Sequence, residues 1–511
     1  MVASMNSSAT DTARHHRVVI IGAGFSGLGL GIKLREAGEE DFVILEADAG
    51  VGGTWWVNRY PGCACDVQSH LYSFSFAPRP GWSRQFAPRA EIQGYLADCA
   101  ARWGLGPQLR FNTRVTQARW DETRRRWEVA DQHGRVRTAD VLVSAIGGLS
   151  RPARPNIPGL EEFTGPVIHS QQWPAELELA GKRVAVIGTG ASAIQFVPHV
   201  QREASQLDVY QRSAQWILPK PDREIGPARQ ALYRRFPPAR WLVRLALFLL
   251  LETRLPAFAR FPRLTFFHRR KAMRHLQRQV SDPTLRAQLT PGYAMGCKRV
   301  LMSNDFYPAI GAANVELVAA PIRSVGKDAI IDAAGRARPA DVIILGTGFQ
   351  ATTPVPEHMI IGRDGRDLNR LWAEGPAAYK GTTVAGFPNF FTLLGPNTAL
   401  GHNSVILMIE GQIRYVVDAL AWMQRNGTAV IEVRDAAQHE WNARLQRRLA
   451  RTVWNSGGCS SWYLHPVSGR NATLWPRFTT TFRWLTRRFD AAAYQAETNP
   501  VTSRADSSVP R

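Results

Sequence analysis

The chain has 511 residues, enough for two or three domains around a large core, and 45% of them are hydrophobic, as in an ordinary folded protein. Its net charge of +21 raises nucleic acid or an anionic membrane as partners, but the excess is dispersed, mostly as Arg, without an aromatic-interleaved RNA motif; we set nucleic acid aside and read a solvated surface that also serves bound dinucleotide phosphates. Five cysteines without framework spacing suit reduced thiols, the polar first residues hold no secretory h-region, and no apolar run is long enough to span a bilayer, so the expected location is cytoplasmic.

In chain order, a β-branched strand over 16–21 runs into Gly22-Ala-Gly24-Phe25-Ser26-Gly27, then a small-residue helix over 28–37 and a second strand over 42–46. Glycines at this spacing allow a tight turn and let the backbone approach a pyrophosphate. Glu46 lies 24 residues past Gly22, where a carboxylate accepts hydrogen bonds from ribose hydroxyls, as FAD or NAD would offer. The loop that follows, from Gly52-Gly53-Thr54-Trp55 to Asp66, must pass near that nucleotide; taken alone, Asp66 also fits a turn or cap residue. Cys63-Ala-Cys65 is one residue short of a CxxC pair and reads as loop packing.

A strand over 139–147, opened by Ala-Asp and closed by glycine, ends the first half, and an echo of it recurs over 340–348. Between the halves, His169 stands near Trp173, and on its own terms it fits a buried histidine that orients two domains. A second strand over 182–187 then opens Gly188-Thr189-Gly190-Ala191-Ser192-Ala193, with a helix over 194–200 and a strand over 207–211 behind it. Here the residue 24 positions past the first glycine is Arg212, followed by Ser213. A guanidinium there suits a 2′-phosphate, which a carboxylate would repel, so this site reads as NADPH.

From 219 to 291 the pattern turns basic and helical, and 241–253 is apolar on most faces. Two readings stay open: an inserted helical subdomain with a buried stem, or a peripheral contact with the inner face of a membrane. The Lys298-Arg299 pair is by default solvated charge. Residues 395–404, including Asn403, precede an apolar helix whose N-terminus favours negative charge. Gly457 and Gly458 give hinge freedom to a loop carrying Trp462.

The fold expected is α/β: two Rossmann-like dinucleotide-binding domains with an inserted helical subdomain. The FAD domain would comprise 15–150 and 385–490, the NADP domain 151–218 and 292–384, and the insert 219–291, with disordered tails at 1–14 and 491–511. No metal site is expected, and oligomeric state is not legible.

Phe163, Gly165, His169, Trp173 and Pro174 match every fixed position of FxGxxxHxxxWP, and two glycine fingerprints flank them. In this the chain resembles the type I Baeyer–Villiger monooxygenases, within the class B flavoprotein monooxygenases, over about residues 15–485. The resemblance implies FAD and NADPH as cofactors, a ketone and O2 as co-substrates, and an ester or lactone as product by way of a flavin C4a-peroxide. It implies a positioning role for His169. It places Gly53, Thr54, Trp55, Asp66, Tyr72 and Asn403 by the flavin, through a GTWxxNRYPGxxxD stretch in particular. It makes Arg299, in a GxKR stretch, the key catalytic residue. By charge, Asp66 would hold Arg299 in place, while Lys298 would point to the 2′-phosphate beside Arg212 and Ser213. Trp462 looks like the family's mobile-loop Trp, which packs on the nicotinamide cofactor, although Leu464-His465-Pro466 departs from better-known members. The alternatives are a class B enzyme acting on N or S, and a basic membrane- or nucleic-acid-associated flavoprotein without catalysis.

Overall fold

A computed structural model describes residues 14–498. Residues 1–13 and 499–511, where most of the expected disordered tails fall, lie outside the described residues. Two sheets organise the chain, and each contains one strand that runs into a glycine fingerprint.

In the first sheet the strands run in the order Ile360–Ile361, Val115–Asp121, Arg126–Asp131, Val136–Ser144, His15–Ile21, Phe42–Leu45 and Leu109–Arg110. Phe390–Thr392 joins off this path, parallel to Val136–Ser144. The second sheet is parallel throughout, in the order Val315–Val318, Gln206–Tyr210, Arg183–Ile187, Val342–Leu345 and Val167–His169. Phe42–Leu45 and Val342–Leu345 are buried at every position, as expected for parallel strands covered on both faces. Helices Phe25–Glu36 and Ala193–Glu203 follow the two fingerprints.

The repeated Ala-Asp opening has a physical cause. Val136–Ser144 pairs in parallel with the first fingerprint strand, and Val342–Leu345 with the second. In each half the aspartate meets a basic residue at the start of that fingerprint strand. Asp140 lies 3.2 Å from His15. Asp341 accepts the Arg183 backbone N–H at 2.8 Å and its guanidinium at 2.6 Å. The echo thus sets strand register twice over.

Residues 219–291 hold the helices Pro227–Arg235, Pro237–Glu252, Leu255–Ala259, Phe266–Gln279 and Pro283–Gln288. Ile217–Leu218 pairs with Leu301–Met302, so the insert leaves and rejoins the chain at one two-stranded neck. That neck delivers Lys298 and Arg299 to the site.

Two expected boundaries need correction. The chain returns to the first sheet before residue 385, because Ile360–Ile361 pairs with Val115–Asp121. The disorder expected from 491 does not hold for the described part of that stretch, because Tyr494–Thr498 pairs antiparallel with Thr428–Val433 and Tyr494 is buried in the core. The expectation of reduced thiols also fails in part: Cys297 and Cys459 form a disulfide across 162 residues, leaving Cys63, Cys65 and Cys99 free. No helix among the described residues is long and apolar enough to cross a membrane.

Candidate active site

The two nucleotide turns are built alike. Gly22 has φ +104°, and a Cβ on it would lie 2.8 Å from the Ala145 carbonyl oxygen. Gly188 has φ +110°, and a Cβ on it would lie 2.6 Å from the Gly346 carbonyl oxygen. Each glycine is thus pressed against the end of the neighbouring echo strand, in a conformation that L side chains rarely adopt. The helices beginning at Phe25 and Ala193 carry no side-chain cap and no acidic residue in their first turns. Their first N–H groups therefore face the turn, as an anion site requires.

The flanking charges differ as the sequence indicates. Glu46 is buried at the end of Phe42–Leu45, where its carboxylate accepts the N–H of Ala23 at 2.7 Å and of Asp48 at 2.9 Å. Burial raises its pKa, and the backbone N–H groups oppose that rise. Arg212 is exposed past the end of Gln206–Tyr210. Thr189 is buried in the second turn, with Gly190 and Ser192 half-buried and Ala191 exposed. Both turns fit dinucleotides, the first with an acceptor for ribose hydroxyls and the second with a cation for an added phosphate.

The loop after Glu46 folds back over the first turn. A Cβ on Gly24 would come 3.6 Å from the Cα of Gly53, and Thr54–Val57 forms a short helix. Trp55 donates from its indole N–H to the Tyr72 hydroxyl at 3.3 Å, and Phe25 meets the Tyr72 ring edge-on at 5.3 Å. Phe25, Trp55 and Tyr72 form one aromatic group beside the buried Ser26 and Gly27. Farther on, Tyr60 donates to Gln195 Oε1 at 3.0 Å, and Gln195 Nε2 donates to the Ala64 carbonyl at 2.9 Å. Gln195 sits on the helix after the second fingerprint, so the loop bridges both nucleotide turns. Nothing in the sequence singles out Gln195.

Asp66 ends that loop and is held by Arg299. Arg299 Nε donates to Oδ2 at 2.6 Å and Nη2 to Oδ1 at 2.7 Å, a bidentate pair between residues 233 apart. Both side chains remain about a third exposed, at 30% and 31%. Burial opposes ionisation of Asp66, but the charge and hydrogen bonds of Arg299 outweigh it and hold the carboxyl below its ordinary value. Asp66 in turn raises the pKa of the guanidinium further. One residue away, Lys298 donates from Nζ to Ser213 Oγ at 2.6 Å and lies over the Tyr293 ring. Burial, and then the Arg212 charge, lower the Lys298 pKa. Arg212, Ser213 and Lys298 therefore share one cationic corner beside the Asp66–Arg299 pair.

The Cys297–Cys459 bridge ties the segment carrying Lys298 and Arg299 to the glycine loop that carries Trp462. Gly296, at φ +99°, and Gly457 shape the two loops where they meet. Trp462 is 42% exposed, and its ring lies 4.7 Å from that of Tyr463. Tyr463 is fully buried, and burial pushes its hydroxyl up to about 12, with Arg299 and Asp66 close enough to act on it.

His169 is fully buried at the end of Val167–His169. Its Nε2 lies 3.0 Å from the Gly348 carbonyl, and Nδ1 accepts the Gln171 N–H at 3.2 Å. This pattern fits a neutral ring with its proton on Nε2, and burial lowers the pKa accordingly. Phe163 is buried in the core of the second sheet, and Trp173 packs on Phe196 at 5.5 Å. Gly165 lies where a Cβ would strike the Asp341 carbonyl, and Pro174 is exposed. The motif links a crossing strand to the second sheet and does not reach the Asp66–Arg299 pair.

Asn403 is buried, and its Nδ2 donates to Glu252 Oε1 at 2.7 Å. Glu252 also accepts from the backbone and hydroxyl of Thr479 at 3.0 and 2.6 Å, and lies 3.2 Å from His402 Nε2. This carboxylate, at the end of the Pro237–Glu252 helix, pins the insert to the loop before Ile406–Arg425. The sequence held a signal for it: Glu252 is the one acid among residues 227–279.

Comparison with known proteins agrees with this arrangement. The pyridine nucleotide-disulphide oxidoreductase family matches residues 19–231. A Baeyer–Villiger monooxygenase of Pseudomonas aeruginosa is 54% identical, over 96% of this chain and 93% of that one. Among solved structures, an oxidized steroid monooxygenase bound to NADP superposes with a TM-score of 0.83 at 31% identity, covering 95% of this chain and 100% of that one. The OTEMO complex with FAD and NADP superposes with a TM-score of 0.84 at 28% identity, covering 94% and 99%. With two nucleotide turns, the bridging motif and near full-length identity above half, the chain belongs to the Baeyer–Villiger monooxygenases.

Proposed function

We propose that this chain is an FAD-dependent, NADPH-consuming monooxygenase that inserts one oxygen atom of O2 next to a ketone carbonyl, giving an ester or lactone. The bidentate Asp66–Arg299 pair beside Lys298 carries this reading. Bound FAD and NADPH supply the hydride and oxygen chemistry; the protein supplies position, charge and exclusion of water.

The first turn and the N-terminus of Phe25–Glu36 would hold the FAD pyrophosphate, and Glu46 would accept from its ribose hydroxyls. The loop of Gly53, Thr54 and Trp55, with Tyr72 and Asp66, would line the flavin site. Asn403, bonded to Glu252, would fix the loop before Ile406–Arg425 for contact with the flavin. The second turn, from Gly188 to Ser192, would hold NADPH, and Arg212, Ser213 and Lys298 would bind its 2′-phosphate. An anion there relieves the repulsion between Lys298 and Arg212. Trp462, exposed on the glycine loop, would pack on the nicotinamide end of bound NADPH.

Arg299 is the catalytic cation. A guanidinium stays charged at any working pH and can hold negative charge that develops on the substrate carbonyl oxygen. Asp66 aims it with two hydrogen bonds, which fixes geometry before substrate arrives. His169 is a positioning residue: neutral, buried and bonded to the Gly348 turn, it holds the crossing between domains.

Arg299→Ala tests this. Flavin reduction by NADPH should persist, while oxygenated product falls by about 10²-fold or more, the usual effect of removing one oxyanion-stabilising donor. Ester formed at the unsubstituted rate would sink the assignment. A panel of ketones, sulfides and amines read by product mass separates carbonyl insertion from N- or S-oxygenation, and turnover of amines alone would favour the latter.

A further inference from the structure

The Pro237–Glu252 helix is apolar on two faces, and only one of them is covered. Val243 and Leu247 pack on the main core, and Leu251 belongs to it, at spacings of four. The same helix is fixed at both ends of that inner face. Arg244 Nη1 donates to the His70 carbonyl at 2.7 Å, and Glu252 holds Asn403 and Thr479. The opposite face carries Leu242, Ala246, Leu249 and Leu250, all exposed, with Leu249 and Leu250 at 54% each. Trp241 stands exposed at its start, and Phe267 is 75% exposed on the next long helix. Of the exposed large apolar side chains among the described residues, ten of eighteen fall between 232 and 267. Scattered exposed apolar residues need no explanation, but a concentration within one inserted segment does.

The same segment holds an unbalanced charge. Residues 227–279 contain thirteen Lys and Arg and one acid, the buried Glu252. Among the described residues none of the thirteen forms an ion pair with a carboxylate. Arg263, Arg269 and Arg270 are exposed alongside the apolar residues.

We infer that this insert docks on an anionic lipid surface, with the Pro237–Glu252 helix lying in the interface plane and the flanking arginines at the headgroups. Exposed leucines with uncompensated arginines form the composition that such an interface binds. The helix is too short and too firmly anchored to span. A second copy of the chain is a poor occupant, because a two-fold contact would set this basic patch against itself. Nucleic acid is a poorer one, since the exposed Leu242, Leu249 and Leu250 would gain nothing from a phosphate backbone, which rewards the cations alone.

The test is co-sedimentation of the FAD-loaded protein with vesicles of phosphatidylglycerol and phosphatidylcholine in equal parts, and of phosphatidylcholine alone. The unsubstituted chain should pellet with the anionic vesicles, weakly with the neutral ones, and be released by salt. Leu249→Glu with Leu250→Glu should weaken anionic partition about tenfold or more, since it removes apolar burial and adds like charge to the lipid's. Arg269→Glu with Arg270→Glu should weaken only the anionic arm. Flavin content and ketone turnover in vesicle-free buffer should match the unsubstituted chain in both variants, which separates this inference from the assigned reaction. If a leucine variant loses flavin, Phe267→Ser on the exposed start of the other helix replaces it. Three outcomes overturn the inference: no binding to anionic vesicles, binding unchanged by the substitutions, or sedimentation as a dimer or on duplex DNA through this face without vesicle binding.

Discussion

Asp66 shows how one residue can be read at two levels. Within its loop it resembles any turn aspartate, and only the GTWxxNRYPGxxxD context marks it. The structure adds the geometry, a two-point grip on Arg299 across 233 residues. His70, by contrast, carries no sequence signal at all. It is 8% exposed, its Nε2 has no hydrogen-bond partner, and its ring meets Tyr233 edge-on at 4.8 Å. Burial, with the charges of Arg240 and Arg244, lowers its pKa from 6.5 to about 4. A depressed histidine favours the folded state when neutral, so its contribution is fully present above pH 6.5. It is lost as pH falls from 6.5 toward 4, to an extent of roughly 3 kcal/mol. His16, His169 and His275 are shifted in the same direction, so the slope must be isolated by substitution. Chemical denaturation of His70→Phe across that range should show a shallower loss of stability on acidification than the unsubstituted chain; identical slopes would remove His70 as a cause.

At the scale of elements, the disulfide is the feature that joins chemistry to motion. Cys297 precedes Lys298 and Arg299, and Cys459 lies in the loop of Trp462, so one bond makes loop position and cation position interdependent. Cys459→Ser, or reduction by a dithiol, should free the loop and raise KM for NADPH several-fold while lowering kcat, as hinge changes do. Stopped-flow flavin reduction and steady-state rates would read this, and unchanged values under both treatments would reduce the bridge to packing. This pairing was hidden in the sequence, because an odd number of cysteines with no regular spacing gives no reason to join two that are 162 residues apart. Other elements were legible in proportion to their length and pattern. The two strand-turn-helix units stood out because glycine spacing, β-branched runs and the 24-residue offset agree. Ile360–Ile361 is not legible, because two residues carry no period, and the sequence therefore gives no sign of the early return to the first sheet. Tyr494–Thr498 looked like tail because an edge strand of polar residues resembles one until its partner, Thr428–Val433, is in view.

Over the whole molecule the charge of +21 acts on every anion that approaches. Part of it sits on the insert, where the cations of 227–279 form no ion pair among the described residues, and part is concentrated at Arg212 and Lys298. These two portions should separate by salt. The general field draws NADPH and NADH alike and fades as the screening length drops from ~30 Å near 0.01 M to ~8 Å at physiological ionic strength. The proposed phosphate corner of Arg212, Ser213 and Lys298, where Lys298 is already 2.6 Å from Ser213, would act at hydrogen-bond range on the 2′-phosphate alone. KM for NADPH should therefore rise with salt more steeply than KM for NADH, because the extra phosphate adds charge that both portions grip. In Arg212→Ala the NADPH value should rise by about tenfold or more at low salt, in keeping with the loss of one charge-assisted contact. Its salt dependence should then approach that of NADH, whose own KM should barely move. Parallel shifts for both nucleotides would mean that Arg212 contributes only to the general field, and that the second fingerprint does not select the phosphate.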